Sequence, residues 1–205
     1  GEGGIRVVSN HCLKKIKELC KKNNILLILD CVQTIFRTGS LLGFEESRIF
    51  PDICPIAKGI GGGFPLGAIL VTKKASIGMT PGTHGSTFGG NPLGVSVGNS
   101  VLDIVLSKDF FNNVKTKGNY FDKELKKLKD NFPKIIEEVR GINFIKGLKL
   151  KTESTKFMSK LMKHKLLTVK ASENCIRLFP PLISTKKELN MGLKIIQKVC
   201  QEYKN

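Results

Sequence analysis

Apolar positions change their period several times along the chain. Between residues 11 and 22, Leu13, Ile16 and Leu19 recur at helical spacing among lysines, and Asn23-Asn24 ends the run, so a helix is expected there. Ile25 to Leu29 follow without a polar residue and stop at Asp30, which predicts a strand buried on both faces of a parallel sheet. Ile53 to Ala57, stopping at Lys58, and Ala68 to Thr72, ending at Lys73-Lys74, read as two more strands. Apolar strands separated by longer connections, with polar residues at their C-terminal ends, predict an open α/β sheet carrying a site along one edge.

Pro92 to Leu106 predicts a helix: proline suits the first turn, and Leu93, Val97, Val101, Ile104 and Val105 supply an apolar face. Residues 109–130 are again helical, and Asn131-Phe132-Pro133 stops them. Beyond that point the pattern shortens. Ile135 to Val139, Phe144 to Leu150, Leu166 to Val169 and Cys175 to Phe179 read as strands, with helices at 155–164 and 185–203. The change places a boundary near residue 133, between an α/β domain over 1–133 and a smaller α+β domain over 134–205.

Composition adds limits. A chain of 205 residues, 40% hydrophobic and 25% charged, is an ordinary globular one and long enough for a domain plus a smaller second one. The formal net charge of +17 raises the question of nucleic acid. Its lysines fall into two amphipathic stretches, Lys14 to Lys22 and Lys123 to Lys129, where solvated helix faces account for them. No aromatics interleave and arginine is sparse, so no nucleic-acid partner is expected. No apolar run approaches the ~20 residues that cross a bilayer, and a cytoplasmic protein with no membrane contact is expected. Gly1-Glu2-Gly3-Gly4 is neither a signal peptide nor an initiator start, which reads as an opening inside a longer sequence. The six cysteines form no C-x-x-C pair and have no histidine at ligand spacing, so reduced thiols and no metal are expected.

Three segments carry candidate chemistry. Lys58 lies in Ala57-Lys58-Gly59-Ile60-Gly61-Gly62-Gly63-Phe64-Pro65-Leu66-Gly67. A desolvated lysine at a strand end has a lowered pKa and can attack a carbonyl to form a Schiff base, while glycines admit a bulky ligand. A lysine snorkelling at a strand end is the plain alternative. Asp30, in Leu29-Asp30-Cys31-Val32-Gln33-Thr34, can pair with a ligand's ring nitrogen or simply cap the next element. Gly82-Thr83-His84-Gly85-Ser86-Thr87-Phe88-Gly89-Gly90-Asn91-Pro92 offers hydroxyls and amides before a helix, suited to a phosphate or to capping alone.

Together the segments resemble the C-terminal portion of the class III pyridoxal-phosphate-dependent aminotransferases, whose architecture is fold-type I. The family pattern D-E-V-Q-T-G-x-G-R-T-G is similar to Asp30-Cys31-Val32-Gln33-Thr34 through Arg37-Thr38-Gly39. Cys31 replaces the glutamate, and Thr34-Ile35-Phe36-Arg37 is one residue short, with both glycines lost. P-D-I…A-K-G-x-G-G-G-x-P-x-G-A matches Pro51 to Ala68, and H-G-S-T-[FY]-G-G-N-P-L is unbroken from His84 to Leu93.

The resemblance implies pyridoxal phosphate on Lys58, with Asp30 at the pyridine nitrogen, Val32 on the ring face and Gln33 at the phenolic oxygen. It implies that Ser86 reaches substrate and that Thr87 binds the cofactor phosphate of a neighbouring subunit, hence a homodimer. Ile176-Arg177-Leu178-Phe179-Pro180-Pro181-Leu182 is similar to R-x-x-P-P-L, whose arginine binds a substrate carboxylate, and Glu2 stands where the family pairs a glutamate with that arginine. The implied reaction moves an amino group from an amino acid to 2-oxoglutarate. N-acetylornithine is the expected donor; ornithine, succinyldiaminopimelate and 4-aminobutyrate are the alternatives. A catalytically inactive remnant is the competing reading, favoured by Cys31, the short loop and a resemblance that covers only the family's C-terminal half.

Overall fold

A computed structural model of the chain describes residues 1–203, arranged as two compact units. The first comprises Gly1–Val7, Arg37–Gly39 and the described residues from Asn112 onward; the second comprises Val8–Phe36 and Ser40–Phe111.

In the second unit, α1 (Asn10–Lys22) starts at Ser9, whose hydroxyl accepts from the Cys12 amide. It is amphipathic, as expected, yet buries none of its residues. β1 (Ile53–Ala57) and β2 (Gly67–Val71) pair antiparallel, from Ile53 against Val71 to Ala57 against Gly67. The parallel strand expected at 25–29 reduces to one bridge, Ile28 to Ile53, extended by bonds from the Leu29 amide to the Ile53 carbonyl and from the Cys31 amide to the Pro55 carbonyl. It is not buried on both faces either: Ile25, Leu26 and Ile28 are exposed, because β1 bonds one edge and Leu27 alone turns inward.

Asp52 ties this pairing together. Its carboxylate accepts from the Leu27 amide at 2.9 Å and the Lys17 ammonium at 3.1 Å, and its backbone bonds Leu27 and Thr72. The Leu27 amide, then Lys17, hold its carboxyl below the usual carboxylate range.

α2 (Pro92–Val105) begins with the Asn91 side chain accepting from the Gly94 amide and proline in the first turn. Its buried stripe differs from the one expected. Gly94, Gly98 and Val105 are buried, whereas Leu93 and Ile104 face outward. A side-chain carbon on Gly98 would lie 2.8 Å from Leu66, so the small residues permit the close approach and mark the packed side.

In the first unit, β3 (Ile136–Ile142), β4 (Ile145–Leu150), β5 (Val169–Ala171) and β6 (Cys175–Leu178) form an antiparallel sheet in the order β3-β4-β6-β5. α3 (Phe110–Asn131), α4 (Ser154–Lys163) and α5 (Lys186–Gln201) supply its helices. One face of the sheet, with Leu148, Ile176 and Leu178, packs on Leu125, Phe157, Leu161, Leu193 and Ile196. Because Phe121, Leu125 and Leu128 of α3 belong to this core, the boundary drawn at 133 falls inside the unit rather than at its edge. The strand expected at 166–169 lies later, at Val169–Ala171. The hairpin into β6 turns at Glu173 and Asn174, both at positive φ, and that turn sets the register.

α5 starts with a reciprocal cap: Thr185 accepts from the Glu188 amide while Glu188 accepts from the Thr185 amide. Gly141, at φ 88°, opens the β3–β4 turn, where a side-chain carbon would collide with the Ile145 carbonyl. Lys146 points into the core face and is nearly fully buried, bonded to Asp122 and the Gly141 carbonyl. The opposite face carries Cys175 and Ala171, against which Ile5 packs. Among the described residues, no helix is long and apolar enough to cross a membrane.

Candidate active site

Lys58 begins a 3-10 turn, Lys58–Gly61, at the end of β1. Its backbone sits at φ 52°, a left-handed conformation that a lysine adopts only when its surroundings hold it there. The preceding Ala57 is fully extended, so the chain turns sharply at the lysine. The pairing of Cys31 with Pro55 brings the segment that begins at Asp30 alongside the strand that delivers Lys58. Asp30, Val32, Gln33 and Lys58 are thus set by one short stretch of backbone pairing.

Gly59 explains why glycine must follow the lysine. A side-chain carbon there would lie 3.1 Å from Ile35 and 3.4 Å from Phe36. These two residues are the substitutes in the shortened Thr34–Arg37 loop. Phe36 takes φ 65° with its ring buried, standing in a conformation usually left to glycine. The shortened loop is therefore accommodated, packed on the backbone beside Lys58. Gly62, at φ 57°, approaches Val101 of α2 so closely that a side-chain carbon would be 2.8 Å from it. Gly59 and Gly62 therefore let protein pack closely on the backbone after the lysine, whereas at Gly63 nothing lies within 4 Å of where a side-chain carbon would stand.

Two expectations for single residues are corrected. Lys58 is exposed rather than desolvated, because it stands just past Ala57, where the pairing of β1 with β2 ends. Asp30 is likewise exposed, and one carboxylate oxygen accepts from the Val32 amide at 2.8 Å, closing a local turn. The capping role weighed for it is present, on a run of turns rather than a helix. Ser86 and Thr87 lie in an exposed loop; the Ser86 carbonyl accepts from Gly89, which leads to the Asn91 cap of α2.

Arg177 and Glu2 belong to the first unit. Arg177 lies in β6 opposite Gly147, on the face that Ile5 covers. The Glu2 carbonyl accepts from the Ser172 amide at 2.8 Å, so the first residues run along the β5–β6 hairpin. An ion-pair chain fixes them there. Arg6 grips Glu173 through two bonds of 2.6 and 2.7 Å, while Arg140 bonds Glu173, Glu138 and the Gly4 carbonyl. Arg6 and Arg140 hold the Glu173 carboxyl down at about 2. Pattern reading missed this anchor because its partners are 167 residues apart in sequence. Asp52 was visible only as part of a motif, without a role.

Cys31 and Cys54 are both buried, and burial followed by the neighbouring Cys31 thiol pushes Cys54 up to about 12. A thiol held protonated in this way makes Cys54 a poor nucleophile. Among the described residues, no three His, Cys, Asp or Glu side chains stand close enough to hold a metal ion.

The family model "Aminotransferase class-III" matches residues 1–200. The chain belongs to the class-III aminotransferases. The fold is α/β with mixed sheets, and class-III aminotransferases depend on pyridoxal phosphate. Acetylornithine aminotransferase of Mesorhizobium japonicum is 48% identical over 198 residues, covering 96% of this chain and 50% of that protein. The Brucella melitensis acetylornithine aminotransferase is 46% identical over 202 residues, covering 98% and 50%. Among solved structures, acetylornithine aminotransferase from Elizabethkingia anophelis superposes with a TM-score of 0.89 at 35% identity, over 98% of this chain and 54% of that one. Plasmodium falciparum ornithine δ-aminotransferase gives 0.92 at 32% identity, over 99% and 54%. The chain spans about half the length of the curated relatives it matches.

Proposed function

We propose that this class-III aminotransferase chain supplies the cofactor lysine of an enzyme that moves an amino group from N-acetylornithine to 2-oxoglutarate. The observation that carries the proposal is Lys58 itself. It is a lysine held in a left-handed backbone at a strand end, alongside the Asp30 segment and followed by a glycine run in which Gly63 leaves the backbone open. That donor set fits pyridoxal phosphate: a primary amine for its aldehyde, a carboxylate for its ring nitrogen, and open backbone for its ring. When bound, the cofactor would supply an electron sink for the charge released at the substrate carbon that bears the transferred amino group.

The chain's own residues divide the remaining work. Lys58 would hold the cofactor through Nζ and would move the proton at the substrate carbon that bears the transferred amino group, the side-chain terminal carbon in N-acetylornithine. Asp30 holds a proton on the pyridine nitrogen, Val32 presses the ring, and Gln33 donates to the phenolic oxygen. Ser86 bonds substrate, and Thr87 binds the phosphate in a neighbouring subunit of a homodimer. Arg177 receives the carboxylate of the amino or 2-oxo acid, and Glu2 pairs with Arg177 when the second substrate leaves it free. Likeness to acetylornithine aminotransferases supports the choice of donor.

The full-length protein mixed with pyridoxal phosphate is expected to show the visible absorption of a lysine-bound cofactor, and Lys58→Ala to abolish it. A band that survives the substitution contradicts the assignment. Absence of any band in the unsubstituted protein supports the inactive remnant.

A further inference from the structure

Arg37 belongs to the first unit although residues on both sides of Arg37–Gly39 belong to the second. Its own bonds explain this. The Arg37 carbonyl accepts from the Phe144 amide at 3.1 Å, and the next carbonyl, of Thr38, accepts from the Asn143 side chain at 2.6 Å. The Arg37 guanidinium donates to the Pro180 carbonyl at 2.9 Å and, more weakly, to that of Phe144 at 3.4 Å. Its carbon lies 5.3 Å from the centre of the Phe179 ring. The Arg177 guanidinium lies over the same ring, at 5.9 Å.

Two arginines therefore share one aromatic ring, and one of them also bonds the residue after that ring. Phe179 and Pro180 are the residues that follow Arg177 and Leu178 at the end of β6. A guanidinium suits the role because its flat face stacks on the ring while its edge donates to a carbonyl, a combination that an ammonium does not reproduce. Burial lowers the Arg37 pKa, yet a guanidinium stays charged at any physiological pH.

We propose that Arg37 is a positioning residue for Arg177: through Phe179 and Pro180 it fixes where the Arg177 guanidinium stands to receive the substrate carboxylate. The proposal rests on the reading of Arg177 as the carboxylate ligand. It assigns a task to the arginine of the D-C-V-Q-T…R-T-G segment, to which the proposed cofactor contacts give none. It also predicts a specific signature, because a misplaced Arg177 weakens binding of dicarboxylates more than it slows the proton transfer at Lys58.

The test uses the full-length protein with Arg37→Met, Arg37→Lys, Phe179→Leu and, as reference, Arg177→Met. The readouts are KM for 2-oxoglutarate, kcat, and the Kd of glutarate, a dicarboxylate without the reacting carbonyl. Arg37→Met is expected to raise KM and the glutarate Kd by about tenfold, the scale of one charge-assisted hydrogen bond, with a smaller change in kcat. Arg37→Lys is expected to recover only part of the loss, and the Arg37→Met and Phe179→Leu effects to be less than additive because they act through one ring. Retained visible absorption of the bound cofactor shows that each variant is folded. If Arg177→Met raises KM while both Arg37 variants leave KM and the glutarate Kd unchanged, the positioning role is overturned and the reading of Arg177 stands. If Arg177→Met changes neither, that reading fails and the proposal with it. A fall in kcat at unchanged KM in Arg37→Met also overturns the proposal.

Discussion

The two units of this chain treat their apolar residues in opposite ways. In the first, strands β3 to β6 and helices α3 to α5 close on Phe144, Phe157, Leu148, Leu161 and Val199, none of which is exposed to solvent. In the second, β2 turns Ile69 and Leu70 outward, α1 buries nothing, and Leu93 and Ile104 of α2 face away from their own unit. The unit with the closed core carries Arg177, the proposed carboxylate ligand. The unit with apolar residues on its surface carries the lysine. The second still buries Ile35, Phe36, Phe44, Ile49, Cys54 and Ile60, and adds to them backbone pairing, the Asp52 hub and glycine contacts around Lys58.

Mutation should separate the units sharply. Phe157→Ala removes a fully buried ring from the first unit and should destabilise the chain by about 3–5 kcal/mol in chemical denaturation. Gly118→Ala should cost less, about 1–3 kcal/mol, because its new carbon would stand 2.6 Å from Asn143 and force the β3–β4 turn away from α3. Ile69→Ala in β2 should cost under about 1 kcal/mol in this chain, since 58% of Ile69 is already exposed. A cost equal to that of Phe157→Ala would erase the contrast between the units.

The smallest effect is local. The Glu173 carboxyl is held at about 2 against an ordinary value of 4.5, so it binds fewer protons folded than unfolded. Its contribution is complete above about pH 4.5 and is lost as pH falls toward 2. The protection of the Ser172 amide against hydrogen exchange, relative to its intrinsic rate at each pH, should fall over that window, and Glu173→Gln should remove the dependence. An unchanged profile in Glu173→Gln would show that another group holds the first residues down.

Sequence pattern carried the elements well where the element makes its own case. β1 matched to the residue, and α3, α4 and α5 began within a residue or two of the expected starts because caps and periodicity are local. Burial was less legible. The run Ile25 to Leu29 looks like a doubly covered strand, but cover depends on neighbours that a run of apolar letters does not specify. In α2 the large residues suggested the packed face, whereas Gly94 and Gly98 mark it, because close approach favours the residues without side chains. For the site, Lys58, Asp30 and Arg177 were legible as motif letters. The left-handed turn at Lys58, the packing of Ile35 and Phe36 on Gly59, and the grip of Arg37 on Pro180 were not, since each arises from contacts between distant segments.

The central claim is that Lys58 is the residue that binds pyridoxal phosphate. Borohydride reduction of the full-length protein loaded with the cofactor, followed by digestion and peptide mass mapping, tests it most directly. The cofactor mass should appear on the peptide containing Ala57-Lys58-Gly59 and nowhere else in stoichiometric yield. Stoichiometric label on any other lysine, with Lys58 unmodified, would contradict the account.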